Sequence, residues 1–238
     1  MVKVIASGSS GNCTVLYDSQ TRIMLDAGIP MKQILTALNY ELPDYVLITH
    51  EHGDHAQKST LKSLLERGVE MYMTVGTKDA LKFENRYNLH LFSPNLEMKP
   101  IRLGDYEFTA LPAIHDAAEP AVFKIESADE KILYATDTGQ VPHWHSTRPY
   151  TKILIESNFA ENELLKSKSI DEGQRKRIFA NHLSIERVIE SFEYWKRNDL
   201  LDGLREIHLI HLSKRHGNSN RFIQAIKNVV GEVPIEAH

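Results

Sequence analysis

The chain has 238 residues, of which 42% are hydrophobic and 25% charged, and these globular proportions exclude disordered, collagen-like and disulfide-scaffold classes. With 28 basic against 32 acidic side chains the net charge is −4, so no overall field draws the chain to nucleic acid or anionic membrane, and a phosphate partner has to be held locally. The lone Cys13 excludes an internal disulfide and a thiolate metal cage, as expected in a reducing compartment.

The longest apolar runs, such as Tyr45–Ile48 and Ile153–Ile155, are far shorter than the roughly 18 residues of a membrane span, and Met1 leads straight into strand-like Val2–Ala6. A cytoplasmic chain without span or signal peptide is the expectation. The opening is antiparallel, with strands at Val2–Ala6, Thr14–Tyr17 and Arg22–Leu25 and a hairpin at Asp18–Thr21. Met31, Ile34, Leu35 and Leu38 recur at helical spacing before a buried strand, Tyr45–Ile48. A second helix carries Leu61, Leu64 and Leu65 and ends at Gly68. Strand Glu70–Thr74 and a short helix capped by Thr77 follow. From 89 to 135 the helical period gives way to a meander of strands: Leu89–Phe92, Lys99–Arg102, Tyr106–Leu111, Ala121–Ile125 and Lys131–Ala135. After strand Lys152–Ile155 comes a charged stretch, then a helix capped by Ser184 with Ile185, Val188, Ile189, Phe192 and Trp195 on its apolar face. Strand Glu206–Ile210 and a helix through Phe222, Ile226 and Val230 complete the pattern. No linker or repeat marks a boundary, so 1–238 reads as a single domain with two strand-rich halves, each followed by helices. Such halves fit face-to-face sheets with helices outside.

The chemistry concentrates in Thr49-His50-Glu51-His52-Gly53-Asp54-His55, directly after an apolar strand. Side chains two apart on extended backbone share a side, which brings His50 and His52 to one point. Gly53 permits a turn that swings Asp54 and His55 round to start a second cluster. Imidazole and carboxylate donors without thiolate suit Zn²⁺ or Mn²⁺, with Fe²⁺ tolerated.

This His-x-His-x-Asp-His string resembles the signature of the metallo-β-lactamase superfamily. The resemblance implies a four-layer αβ/βα sandwich of two mixed sheets. It also implies later ligands at strand ends, placed at His115, Asp137 and His211. His50, His52 and His115 would then hold one divalent ion and Asp54, His55 and His211 another, with Asp137 bridging. Ser7–Asn12, His115–Pro120, Glu156-Ser157-Asn158, Asn181–Ser184 and His211-Leu212-Ser213 are together similar to the YycJ/WalJ-like subgroup, relatives of ribonuclease Z and the β-CASP nucleases described as metal-dependent DNA exonucleases. Phe159 departs from the His expected in many relatives.

The reading is a dinuclear phosphodiesterase, most of all a DNA exonuclease, attacking with a metal-bridging hydroxide, with Asp54 and His182 as catalytic residues. His182, just before a capped helix start, is placed to protonate a leaving oxygen, and Ser184 begins the helix whose N–H groups face an anion. Lys166, Lys168, Arg175, Lys176 and Arg177 form a basic run for nucleic-acid backbone. A carbonyl hydrolase and an RNA-directed nuclease are the alternatives. The intervals after His115 and Asp137 are too short for a ribonuclease Z arm or a β-CASP insertion. His143 and His145 suggest a substrate-side loop, Gly8–Asn12 a tight hairpin near the metals, and His208 a hydrogen-bonded core or surface residue.

Overall fold

The computed structural model describes residues 1–18, 20–143 and 148–238. They divide into two compact units, residues 1–112 with 117–121, and residues 113–116 with 122–238.

In the first unit a mixed sheet runs in the order β1 (Val2–Ala6), β2 (Cys13–Tyr17), β3 (Arg22–Leu25), β4 (Tyr45–Leu47), β5 (Glu70–Thr74), β6 (Leu89–Phe92). The first three strands are antiparallel, joined at the β2–β3 turn by Asp18, whose Oδ1 accepts from the backbone N–H of Gln20 and Thr21. From β3 onward the pairing is parallel. Each parallel step needs a crossover, and three helices supply it: α1 (Met31–Ala37), α2 (Lys58–Glu66) and α3 (Val75–Leu81). Ile34, Leu61, Leu64 and Leu65 pack on Val15, Met24, Val46, Ile48, Met71 and Met73 to form the core. Cys13 is fully buried there as a small hydrophobe, its thiol pushed up by burial and by nearby Asp26. A hairpin of β7 (Ile101–Leu103) and β8 (Tyr106–Pro112) completes this unit.

The second unit holds a mixed sheet in the order β9 (Ala121–Glu126), β10 (Lys131–Ala135), β11 (Lys152–Glu156), β12 (Glu206–Ile210), β13 (Ile235–Ala237), antiparallel at β9–β10 and parallel beyond. Strands β10 and β11 are buried at every residue, as parallel strands covered on both faces are. Helices α4 (Glu161–Lys166), α5 (Glu172–Asn181), α6 (Ile185–Arg197) and α7 (Ser219–Val230) accompany it. Ser184 caps α6 as expected, its Oγ accepting from Arg187 N–H.

Four expectations change. The cap of α3 is Thr74 rather than Thr77, because Thr74 Oγ1 accepts the Thr77 N–H at 3.2 Å. Strand β6 leaves the meander and pairs parallel with β5. The charged stretch after β11 contains α4 and α5. Helix α5 has little apolar periodicity and is started by a capping box in which Asp171 Oδ1 accepts from Gln174 N–H and Gln174 Oε1 from Asp171 N–H. Gly53 has open space around its α-carbon and no left-handed backbone, so the turn does not require glycine. It is closed instead by the N–H groups of His55 and Ala56 on His52 O.

Candidate metal centre

In the first unit the loop after β4 carries His50, His52, Asp54 and His55. His50 Nε2 and His52 Nδ1 lie 3.1 Å apart, so both imidazoles present a nitrogen to one point. The rings of His50 and His55 are held from behind. Thr49 Oγ1 is 3.0 Å from His50 Nδ1, and Asp26 Oδ2 is 2.8 Å from His55 Nδ1. Asp26 follows β3, is fully buried with φ of 58°, and also accepts from the Thr49 N–H at 2.8 Å. One carboxylate therefore orders both the strand end and the His55 ring, as carboxylates behind metal-binding histidines do. The Gly8–Asn12 hairpin meets the same loop, since Asn12 Nδ2 is 2.9 Å from His55 Nε2 and Asn12 N–H donates to Asp54 O. Gly28 lets the backbones close up, because a Cβ there would fall 1.7 Å from Asp54 O.

In the second unit the candidates again stand at strand ends. Asp137 follows β10 with φ of 45° and His211 follows β12 with φ of 54°. L-residues adopt this left-handed backbone at a cost of about 1–2 kcal/mol. Asp137 Oδ1 is 3.1 Å from His211 Nδ1, and Asp137 Oδ2 is 3.8 Å from His115 Nε2. His115 Nδ1 faces Asn181 O at 3.1 Å, which turns Nε2 toward Asp137.

Glu156, at the end of β11, organises this group, a role that its Glu-Ser-Asn motif does not announce. Its Oε1 lies 2.7 Å from His182 Nδ1 and 2.9 Å from His211 Nδ1, and its Oε2 accepts from the N–H groups of Leu183 and Thr138. Burial would raise its carboxyl, but the His182 charge outweighs that and holds it below the ordinary range. Conversely, burial opposes charge on His182, but Glu156 and Asp137 override it and raise its pKa to about 10. The imidazolium is thus the favoured form at neutral pH.

The residues fit divalent metal ions: buried and half-buried imidazole and carboxylate donors close to one another, and carboxylate, carbonyl or hydroxyl partners on the rings of His50, His55, His115 and His211. The sequence alone does not mark Asp26 or Glu156 as part of the site. Each is a single acid at the end of an apolar strand, in Leu25-Asp26-Ala27 and Ile155-Glu156-Ser157, and the Glu156-Ser157-Asn158 resemblance gives Glu156 no role.

The basic run is heterogeneous. Arg175 donates through Nε and Nη2 to the Leu164 and Ser167 carbonyls at the end of α4. Lys176 pairs with Glu172, and Arg177 with Asp116 at 2.7 Å. Lys166 and Lys168 are exposed. The Ser184 hydroxyl is buried and donates to Glu161 Oε1 at 2.9 Å. Phe159 is buried against Phe179. His145 lies outside the described residues. His143 is described and stands beside Tyr194, ring centroids 4.4 Å apart. Both line a cavity of about 480 Å³ with Ile114, Gly139, Leu183 and Arg187. Three of these, Ile114, Gly139 and Leu183, lie within two residues of His115, Asp137 and His182.

Residues 21–201 match the family described as the β-lactamase superfamily domain, and the chain belongs to that family. The chain is 29% identical over 229 residues to exodeoxyribonuclease WalJ of Streptococcus pneumoniae, covering 90% of this chain and 81% of that protein. It is 28% identical over 149 residues to exodeoxyribonuclease YycJ of Bacillus anthracis, covering 58% and 54%. Among solved structures, the metallo-β-lactamase fold protein YhfI from Bacillus subtilis matches with a TM-score of 0.70 at 16% identity, over 100% of this chain and 95% of that one. The short form of human tRNase Z matches with a TM-score of 0.61 at 16% identity, over 90% and 93%. The two mixed sheets with their helices are thus the metallo-β-lactamase fold. No helix among the described residues is long and apolar enough to cross a membrane.

Proposed function

We propose that this protein is a divalent-metal-dependent phosphodiesterase acting on nucleic acid, DNA in preference to RNA, from strand ends. The observation that carries the phosphodiester reading is the setting of His182. Its Nδ1 faces Glu156 Oε1 at 2.7 Å and Asp137 Oδ1 at 3.5 Å, two carboxylates that favour the charged ring, and Nε2 is the nitrogen left to serve as a proton donor. A sugar alkoxide leaving from phosphorus needs such a donor. DNA and end-directed cleavage are supported by the likeness to the two exodeoxyribonucleases.

In this reading His50, His52, Asp54, His55, His115, Asp137 and His211 would hold two divalent ions, Zn²⁺ or Mn²⁺ being the species that suit these donors. Bound divalent ions supply Lewis acidity toward a phosphoryl oxygen and lower the pKa of water to about 7. The chain's own residues do the rest. Asp26 and Glu156 hold the rings in orientation, His182 delivers the proton, and the cavity lined by His143 and Tyr194 seats the nucleotide next to the scissile bond. The family match, running through most of the chain, supports treating residues 1–238 as one metallo-β-lactamase-fold domain.

The test is a comparison of rates on single-stranded DNA, RNA, a β-lactam and an acyl lactone, with the protein loaded with Zn²⁺ or with Mn²⁺. DNA is expected to be cleaved fastest, releasing mononucleotides from the start. A clear win by either carbonyl substrate overturns the phosphodiesterase reading, and a win by RNA overturns the DNA preference.

A further inference from the structure

A second group of metal-ligand type stands on strands β12 and β13. These strands run parallel with His208 opposite Glu236, and His238, two residues beyond Glu236, projects to the same face. Three donor atoms converge: His208 Nδ1 and His238 Nε2 at 3.0 Å, His238 Nε2 and Glu236 Oε2 at 3.5 Å, and His208 Nδ1 and Glu236 Oε2 at 3.8 Å. Zinc bonds of 2.0–2.1 Å in a tetrahedron place neighbouring donors about 3.3–3.4 Å apart, so the triangle has the size of one face of a zinc site.

The His208 ring at this face is buried with a carboxylate on its other side: its Nε2 faces Glu206 Oε2 at 3.6 Å, with Lys152 Nζ 3.1 Å from the other oxygen of Glu206. The Glu206 charge thus lies on the Nε2 side of the ring, while Nδ1 faces Glu236 and His238. The outer side is open, since the Glu236 side chain is 68% exposed, and solvent can reach the fourth position of a tetrahedron.

We propose that His208, Glu236 and His238 form a peripheral site for a borderline divalent cation, Zn²⁺ in the first instance, that clips the short edge strand β13 onto β12. Its role is structural: β13 spans only three residues, too few backbone pairings to hold an edge firmly on their own.

The experiment strips the full-length protein with a chelator and titrates Zn²⁺ into wild type, Glu236→Gln and His238→Ala, counting bound equivalents against a competing chromophoric chelator. Hydrogen exchange of residues 235–237 is followed in parallel. Both variants are expected to bind one equivalent fewer than wild type, and Zn²⁺ is expected to slow exchange of this strand in wild type alone, with DNA hydrolysis unchanged. Because the readout is the difference between proteins, it holds whatever number of ions the candidate metal centre takes. Equal equivalents in all three proteins overturn the site, as does zinc-induced protection that persists in both variants.

Discussion

His182 Nδ1 sits 2.7 Å from Glu156 Oε1, and this contact decides which of its nitrogens is left to meet a substrate. His182→Ala is expected to retain the metal content of wild type while lowering turnover of DNA by about 10²–10⁴, the range for a positioned acid. A nitrophenolate ester, whose leaving group departs without a proton, should be hydrolysed at nearly the wild-type rate. Rates on both substrates and elemental analysis check this. Equal losses on the two would assign His182 to support of the ligands.

Glu156→Gln removes the charge that holds the His182 proton. In wild type the proton is retained until the pH nears about 10. In the variant burial acts with less opposition, so the proton leaves at lower pH and the alkaline limb of kcat on DNA shifts toward neutrality. A pH–rate profile of the two proteins between pH 6 and about 10 reads the shift directly. An unmoved alkaline limb would show that His182 is not the group titrating.

The basic run should separate by mutation into two kinds of residue. Reversing Lys166 and Lys168, which are exposed, should weaken binding to duplex DNA and flatten its log–log salt dependence by about 0.9 for each phosphate that is no longer neutralised. Arg175→Ala should act on stability, because it removes two bonds that close the end of α4, at about 0.5–1.5 kcal/mol each. Salt-dependent binding and urea unfolding of the variants distinguish these effects.

Gly28→Ala places a methyl group against Asp54 O, where a Cβ would stand at 1.7 Å. The Asp54–His55 turn must shift to admit it. A loss of about 1–3 kcal/mol in unfolding free energy is expected from such overpacking, together with weaker metal binding. Gly53→Ala, at an open position, is the control and should leave both nearly unchanged.

The loop from His50 to His55 is legible because four donors follow one apolar strand in nearly consecutive sequence, and their composition survives any detail of the backbone. Asp137 and His211 can be placed only through resemblance, since a lone acid or histidine after a strand is common. The left-handed backbone that aims them is invisible in a string of residues. Asp26 and Glu156 escape sequence reading as organisers for the same reason: their importance lies in reaching Thr49, His55, His182 and His211, which are distant in sequence. Helix α5 escapes it because its residues carry almost no apolar period, though the Asp171-to-Gln174 spacing is a readable start signal. Strand β13 is too short for its pattern to stand out.

The last turn of α5 is a junction rather than a surface helix end. Ala180 O would be 2.1 Å from a Cβ at Gly139, Asn181 O faces His115 Nδ1, and His182 meets Glu156. Three chain segments thus take their position from three successive residues. For protein engineering this makes two neighbouring stretches unequal: a tag or fused domain spliced between Ser167 and Ile170 adds chain at a largely exposed loop, whereas the same insertion between Ala180 and Ser184 would pull all three segments out of register at once.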